Sequence, residues 1–384
     1  MGIAGGVENL QWLFTGTFIA MMATVPLFGW LTSRYPRKRF LPYVYYFFIL
    51  NLLLFYLLFS SGVDHVWVAR AFFIWVSVFN LFVVSVFWSF MVDIFRDEQA
   101  RRLFGFIAAG GTAGAIAGPA LTGSLVHVLG TRHLLLVSAA LLLVAIYCIQ
   151  QLVAWQMLQT DQEHFPDQQT AEQPIGGSVL AGIRLVMQSP YLLGIALLML
   201  LFTMLATFLY FQQAQIIRDA FSDPVDRTAV FAGMDFIVNV LTLLIQVFLT
   251  GRLLNWLGPA WTLALVPLLL AAGFLLLSIS PTLAILIIVQ IIRRAGNYAI
   301  MRPAREMLYV VLRREEKYKA KNFNDTVVYR AGDAVSAWIY AGLRSLGVGL
   351  SGIAMIAVPI ALLWAMLAWR LGKQQQKLAK EPLV

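Results

Sequence analysis

Residues 281–305 read PTLAILIIVQIIRRAGNYAIMRPAR, in which twelve uncharged residues are followed directly by Arg293 and Arg294. A helix needs about 20 apolar residues to cross a hydrocarbon core of roughly 30 Å, and we predict one at 282–301. At 1.5 Å per residue, Arg293 would lie about 17 Å along that helix, near the bilayer centre. An arginine at this depth costs about 2.5–3.5 kcal/mol unless it faces protein, water or an anion.

The rest of the chain has the composition of a polytopic membrane protein. Of its 384 residues, 60% are hydrophobic and only 12% are charged, which is far outside the usual range of soluble domains. The apolar runs are continuous and do not alternate as barrel strands would, so we predict an all-α fold. Eleven membrane helices are predicted, at 10–32, 40–61, 66–92, 103–128, 133–153, 191–215, 228–250, 260–279, 282–301, 323–346 and 353–371.

The formal net charge of +9 is explained by the order of the loops along the chain. Loops rich in Lys and Arg alternate with loops that are poor in them, and basic loops face the cytoplasm. We therefore expect a cytoplasmic C-terminus, an outer location for Met1 and a bacterial inner membrane. The basic segments are 34–39, 96–102, 302–321 and 370–380.

One long polar connection divides the chain. Residues 154–190 are rich in Gln, Asp and Glu and predict a cytoplasmic linker with a short amphipathic helix. The division gives an N-terminal bundle of five helices over 1–153 and a C-terminal bundle of six helices with a basic tail over 191–384.

Motifs of enzymes and metal sites are missing from the sequence. Cys148 is the only cysteine, and the four histidines have no ligand spacing, so we predict neither a disulfide nor a metal site. The chain contains no GxSxG, HExxH or GxxxxGK[ST] motif. We therefore expect no enzyme activity and no cofactor.

The stretch GWLTSRYPRKRFL, residues 29–41, follows the first predicted helix. It resembles the signature GxLxDRxGRR between the second and third helices of the major facilitator superfamily, and departs from it at Ser33 and Pro36. The resemblance implies a cytoplasmic latch, while plain orientation by positive charge remains the alternative. The latch residues would be Gly29, Arg34, Arg37 and Lys38.

A second stretch, GRLLNWLGPAWTL at 251–263, follows the seventh predicted helix and shares the glycine and leucine spacing of 29–41. If the two are equivalent, the first helix of this chain corresponds to the second helix of the later half. We therefore expect that a helix preceding Met1 is missing from this chain, either because Met1 is an internal methionine or because the chain is truncated.

The stretch GAIAGPALTG, residues 114–123, resembles the glycine and proline motif on the fifth helix of superfamily antiporters. Small residues at a spacing of four let membrane helices approach closely, so we expect helix packing here. A role in limiting leakage during exchange is the alternative. The residues concerned are Gly110, Gly114, Gly118 and Pro119.

Two longer stretches, 86–105 and 293–333, resemble the bacterial branch of the superfamily grouped with nucleotide (ATP/ADP) translocase-like proteins. The resemblance implies two six-helix bundles that bind a solute near the membrane midplane and expose it alternately to the two sides.

Arg293 and Arg294, with Asn297 and Tyr298 one turn further on, are the main candidates for solute binding. They form either an anion-binding face or permanent pairs with buried carboxylates. Adjacent helical residues point about 100° apart, so we expect one arginine to face the solute and the other to be structural. Other polar candidates for contact with the solute are Asn80, Asn239 and Tyr329.

Asp235 and Asp333 are the candidate proton carriers. Asp235, Asn239, Thr242 and Gln246 recur at helical spacing, so they line either a cavity or a helix interface. Asp333 lies three residues after Arg330, which allows an intrahelical ion pair. The alternative is a carboxylate whose protonation is coupled to solute movement.

We therefore expect a monomeric secondary transporter that sits in the lipid bilayer, binds no nucleic acid and moves a small anionic or zwitterionic solute by proton coupling or exchange. A nucleotide (ATP/ADP-type) exchanger is the narrower alternative. Against it, every lysine here lies in a predicted loop, whereas the translocases of that branch also use lysines within the membrane. The alternative from another class is a transporter-like receptor or assembly partner that no longer transports.

Overall fold

The computed structural model describes residues 6, 9–34, 37–61, 65–94, 97–160, 179–312, 320–321 and 323–380, and the regular elements in these ranges are all helical. The first helices are α1 (Leu10–Arg34), α2 (Arg37–Ser60), α3 (His65–Ile94) and α4 (Asp97–Thr160). The later ones are α5 (Val179–Gln188), α6 (Pro190–Ala220), α7 (Pro224–Phe248), α8 (Thr250–Ile279), α9 (Leu283–Gly296), α10 (Arg302–Val310), α11 (Tyr329–Ser345) and α12 (Leu350–Leu378). Two π-helical segments, Asn297–Met301 and Asn324–Val328, precede α10 and α11.

The predicted all-α membrane fold is confirmed. Within the described ranges, eight helices are long and apolar enough to cross a membrane. One of them, Gly110–Trp155, has 46 residues, about twice the length needed for one crossing. It breaks at Gly130, where φ is 75°, a backbone conformation that glycine adopts without steric cost. The break separates the two helices predicted at 103–128 and 133–153.

The chain forms two compact units. Unit 1 comprises Met1–Gln173 with Asp223–Val230, and unit 2 comprises Pro174–Ser222 with Phe231–Val384. Residues 161–178 of the predicted linker lie outside the described residues, and α5 occupies its last part.

Unit 1 is held together by aromatic packing between α2 and α3. Phe48 and Phe55, two turns apart on α2, are buried. The ring centroid of Phe48 lies 5.1 Å from that of Phe79, and that of Phe55 lies 5.0 Å from that of Phe72, both pairs edge-on. Such pairs contribute about 0.5–1.5 kcal/mol beyond the area they bury.

Unit 2 depends on close helix contacts that require glycine. α8 packs along α12, and α6 packs on both α11 and α12. A Cβ atom at Gly372 of α12 would overlap the backbone of Ala260 in α8, and one at Gly332 of α11 would overlap Thr203 of α6. In lipid, where apolar side chains gain little by leaving the solvent, such close packing drives helix association.

The structure corrects the assignment of residues 302–321 to a loop. The chain stays helical through a π-helical segment and α10 as far as Val310, although residues 313–319 lie outside the described range. α10 buries Arg305 against α6 and the segment before α11, with Asp325 as its ion-pair partner. The helix tolerates charged residues such as Arg305 because they pair inside the protein. A hydropathy pattern registers only that the residues are charged, and therefore predicts a loop.

We predict that Gly372→Ala lowers the stability of the purified protein by about 1–3 kcal/mol, because the added methyl group overpacks the contact with α8. Gly342→Ala is the matched control, since a Cβ atom there meets no described atom within 4 Å and alanine favours the helix by about 0.5–1 kcal/mol. Scanning fluorimetry in detergent would measure both variants. Equal melting temperatures for the two would contradict the packing described here.

Candidate functional site

The candidate site is built on α9 in unit 2. Leu286, Val289 and Gln290 of α9 are buried, and the helix packs on α8. Arg293 lies one turn beyond Gln290 on the same face, while Arg294 points about 100° away. The apolar face that anchors α9 therefore brings Arg293 into the protein interior and leaves Arg294 to a neighbouring helix.

Arg294 is paired with a carboxylate. Its Nη1 donates a hydrogen bond to Asp235 Oδ1 on α7, and the two side chains are 25% and 40% exposed. The pair neutralises both groups and ties α7 to α9. Arg294 therefore has an ion-pair partner within the protein, while the contact of either arginine with a solute stays a prediction.

Arg293 is held by an amide. Its Nε donates to Gln290 Oε1 at 3.0 Å, and among the described residues no ion-pair partner lies against its guanidinium. Gln290 Nε2 donates in turn to the Leu209 carbonyl at 3.4 Å and to Gln213 Oε1. Arg293 is thus fixed at one nitrogen without being neutralised.

A second carboxylate lies near Arg293. Asp333 of α11 forms an ion pair with Arg330 at 3.6 Å and interacts electrostatically with Arg293. Tyr298 and Tyr329 are further electrostatic neighbours of Arg293. The fold therefore sets Arg293 and Tyr298, from one stretch of the sequence, within electrostatic range of Tyr329 and Asp333, from another.

The first π-helical segment contributes to the same region. A π-helix shifts the backbone hydrogen bonds by one residue and is frequent at functional sites. Gln246 Nε2 donates to the Tyr298 carbonyl at 3.3 Å, and Thr250 Oγ1 donates to the Ala299 carbonyl at 2.7 Å. Because Asp235 and Gln246 both contact residues of 294–298, the polar stripe on α7 serves as a helix interface at its two ends.

The structure places the other predicted residues as follows. Asn239 lies one turn beyond Asp235 on α7, and Asn297 begins the π-helical segment after α9, partly buried. Asn80 is exposed on α3 in unit 1. The Asn297 backbone N–H donates to the Arg293 carbonyl, but no described side-chain hydrogen bond joins Asn80 or Asn297 to the Arg293 guanidinium.

The predicted latch and the glycine stripe remain predictions. Gly29, Arg34, Arg37 and Lys38 lie at the adjoining ends of α1 and α2, but their side chains lie outside the described part of the chain. A Cβ atom at Gly110, Gly114 or Gly118, the stripe that ends at Pro119, would meet no described atom within 4 Å. Close contacts between the described helices therefore do not explain this run of small residues.

Sequence reasoning missed Gln290, Gln213 and the pair formed by Arg305 with Asp325. Gln290 is the one polar residue in the apolar part of α9, three positions before Arg293, and that spacing is a usable signal. Arg305 Nη2 lies 3.3 Å from Asp325 Oδ1, and its Nη1 contacts Met199 Sδ at 2.6 Å. No pattern along the chain indicates which carboxylate an arginine of another helix will meet.

These features define a polytopic helical membrane protein with a cationic site between the helices of its second unit. The family model described as Major Facilitator Superfamily matches residues 4–311. The chain therefore belongs to the Major Facilitator Superfamily, a family of secondary transporters of small molecules.

Solved structures show the same fold. A point mutant of the nucleoside transporter NupG superposes with a TM-score of 0.63 at 12% identity, covering 97% of this chain and 91% of that one. A bacterial homolog of the human lysosomal transporter Spinster, inward-facing and unoccupied, has a TM-score of 0.55 at 12% identity, covering 99% of this chain and 98% of that one.

Curated relatives match about half of this chain. ADP,ATP carrier protein 1 of Chlamydia trachomatis is 24% identical over 212 residues, which are 49% of this chain and 40% of the carrier. The carrier of the same name from Chlamydia pneumoniae is 25% identical over 210 residues, 48% of this chain and 41% of the carrier. The match thus spans about two fifths of the length of each carrier.

We predict that Asp235→Asn and Arg294→Gln each lower the melting temperature, and that the double variant loses less than the two single losses together. Each single variant leaves one charge without its partner, whereas the double variant leaves none. Because both groups are partly exposed, we expect a coupling energy of about 1 kcal/mol. A double-mutant cycle by scanning fluorimetry checks this, and strictly additive losses would argue against the pair.

Proposed function

We propose that the protein is a secondary transporter that binds a small anionic or zwitterionic solute at Arg293 and moves it by alternating access. The observation that carries the proposal is the state of that arginine. Arg293 is held by the neutral Gln290, whereas Arg294, Arg305 and Arg330 each pair with an aspartate. An uncompensated cation within a membrane protein is costly, and an anionic solute would supply the missing charge.

The local charge favours a solute with one negative charge. With both carboxylates ionised, Arg293, Arg294 and Arg330 carry three positive charges, and Asp235 and Asp333 carry two negative charges. One positive charge is left over, so a singly charged carboxylate or phosphate ester balances the cluster. Tyr298 and Tyr329 add hydroxyl groups that would hydrogen-bond the uncharged part of the solute.

Asp333 is the better candidate for proton coupling. It interacts electrostatically with Arg293 and forms an ion pair with Arg330 at 3.6 Å, so its protonation would release Arg330 and remove a negative charge that competes with the solute. Asp235 is bound directly to Arg294, which favours a structural role. We propose coupling to protons through Asp333, with solute exchange as the alternative.

A nucleotide exchanger is the second candidate because the curated relatives are named ADP,ATP carriers. A nucleoside di- or triphosphate carries several negative charges, whereas the described cluster has one positive charge to spare with both aspartates ionised, and two with Asp333 protonated. Further cations would have to come from other parts of the protein, and this argument ranks nucleotide exchange below transport of a smaller anion.

We further propose that the protein is a monomer in a bacterial inner membrane with a cytoplasmic C-terminus. The basic residues at the end of α12 and just after it, Lys373, Lys377 and Lys380, fit the distribution of charge typical of the cytoplasmic side.

We predict that an anion of the correct class raises the melting temperature of the wild-type protein and that Arg293→Gln abolishes the effect. A ligand at one hundred times its Kd adds about 2.7 kcal/mol to stability. The panel is acetate, L-lactate, L-glutamate, inorganic phosphate, glucose 6-phosphate, AMP and ADP. Arg344→Gln is the matched control, because Arg344 is an exposed arginine of α11 whose one described side-chain hydrogen bond goes to the Val348 carbonyl.

Uptake of the stabilising anion into proteoliposomes then distinguishes a transporter from a receptor that binds without moving the solute. Binding without uptake would support the receptor. Full anion stabilisation of Arg293→Gln would refute the proposed site.

We predict that anion affinity is higher at acidic pH and falls as the Asp333 carboxyl loses its proton. The variant Asp333→Asn mimics the protonated carboxyl, so it keeps the high affinity throughout and its binding no longer changes with pH. Titrations at roughly pH 5, 6, 7 and 8, a range that brackets the titration of a buried carboxyl, would measure this with the anion identified above. Asp235→Asn is the comparison variant. If Asp235→Asn loses the pH response and Asp333→Asn keeps it, Asp235 is the proton carrier and Asp333 the structural carboxylate.

A further inference from the structure

We infer that Gln290 and Gln213 position Arg293 so that only one edge of its guanidinium, formed by Nη1 and Nη2, binds the solute. The inference rests on the proposed function and names the group recognised, an oxyanion with two terminal oxygens such as a carboxylate or a phosphate. A guanidinium has two edges that make paired hydrogen bonds with such a group. In this protein one of the two edges is already in use.

The hydrogen bond from Arg293 Nε to Gln290 Oε1 is 3.0 Å long. The edge formed by Nε and one Nη nitrogen therefore cannot bind a solute without breaking this bond. The edge formed by Nη1 and Nη2 has no hydrogen-bond or ion-pair partner among the described contacts of Arg293.

The orientation of the Gln290 amide is determined by its surroundings. Its Nε2 faces the Leu209 carbonyl and Gln213 Oε1, and a carbonyl oxygen only accepts hydrogen bonds. Turning the amide over would set its oxygen against the Leu209 carbonyl and its NH₂ group against Arg293 Nε–H. The amide oxygen must therefore point to Arg293.

Gln213 completes the chain of hydrogen bonds. Gln290 is fully buried and Gln213 is 5% exposed, and Gln213 Nε2 contacts Met234 Sδ on α7 at 3.9 Å. The chain runs from α6 through α9 to Arg293, so two packed helices hold the arginine. Such pre-orientation reduces the entropy lost when a ligand is bound.

A glutamine is suited to this task because it is neutral. A carboxylate at position 290 could also accept from Arg293 Nε, but its second oxygen would face the Leu209 carbonyl without a proton to donate. It would also cancel the charge that attracts the solute, as Asp235 does for Arg294. A leucine at position 290 would keep the positive charge of Arg293 but would not orient its guanidinium. The amide provides orientation without neutralisation.

The test uses purified full-length variants and L-lactate, inorganic phosphate and ADP as probes. We expect Gln290→Leu and Gln213→Leu to weaken binding of the preferred probe about 10–100-fold, as loss of residues that orient metal ligands does, and Gln290→Glu to abolish it. Gln212→Leu is the matched control, since Gln212 is a buried glutamine adjacent to Gln213 whose described hydrogen bond goes to the Leu350 carbonyl. A preference for lactate over phosphate identifies a carboxylate as the group recognised, and the reverse identifies a phosphate.

A second measurement needs no ligand. Phenylglyoxal condenses with the nitrogens of unpaired guanidinium groups, and peptide mass spectrometry reports the modification rate at each arginine. We expect Arg293 to react several times faster than Arg294 in the wild-type protein, and to slow to the rate of Arg294 in Gln290→Glu.

The possible failures are distinguishable. If Arg293→Gln loses binding while the variants of Gln290 and Gln213 bind like Gln212→Leu, the positioning role is wrong and the proposed function stands. If Arg293→Gln still binds the probes, or if no probe binds the wild-type protein, the proposed function is wrong. An Arg293 labelling rate that Gln290→Glu leaves unchanged refutes the hydrogen bond itself.

Discussion

The compensation of charge inside the membrane is the constraint on which unit 2 depends. Each arginine on its membrane helices must meet an anion, water or a polar group, because an unpaired charge in hydrocarbon costs several kcal/mol. Arg294, Arg305 and Arg330 meet aspartates of α7, the segment before α11, and α11 itself. These pairs tie the helices together, and of these four arginines Arg293 is the one whose described contacts include no paired carboxylate.

The need to satisfy polar groups within the membrane also explains the neutral polar side chains around Arg293. Backbone carbonyls of the π-helical segment after α9 accept hydrogen bonds from Gln246 and Thr250, and the Leu209 carbonyl of α6 accepts one from Gln290. In lipid, a polar group must be satisfied within the protein. The bond from Gln290 also holds Arg293 in place, because the other end of the same amide accepts from Arg293 Nε.

Much of the fold could be predicted because apolar length and helix geometry are properties of the local sequence. The eleven predicted helices coincide with described helices, and the break at Gly130 lies between two of them. The prediction failed at 302–310, where Arg302, Arg305 and Glu306 resemble a loop. The fold buries Arg305 against Asp325 and Met199, and a hydropathy pattern carries no information about partners so far away along the chain.

The sequence by itself determined that this is a helical membrane protein with two adjacent arginines deep in one of its helices, pointing about 100° apart. Only the tertiary structure decided which of them meets a carboxylate. Adjacent residues of α9 point in different directions, and the neighbour in each direction depends on how α6, α7 and α11 pack around it. Arg294 meets Asp235 and Arg293 meets Gln290, a distinction that arises from the packing of helices and not from the order of residues.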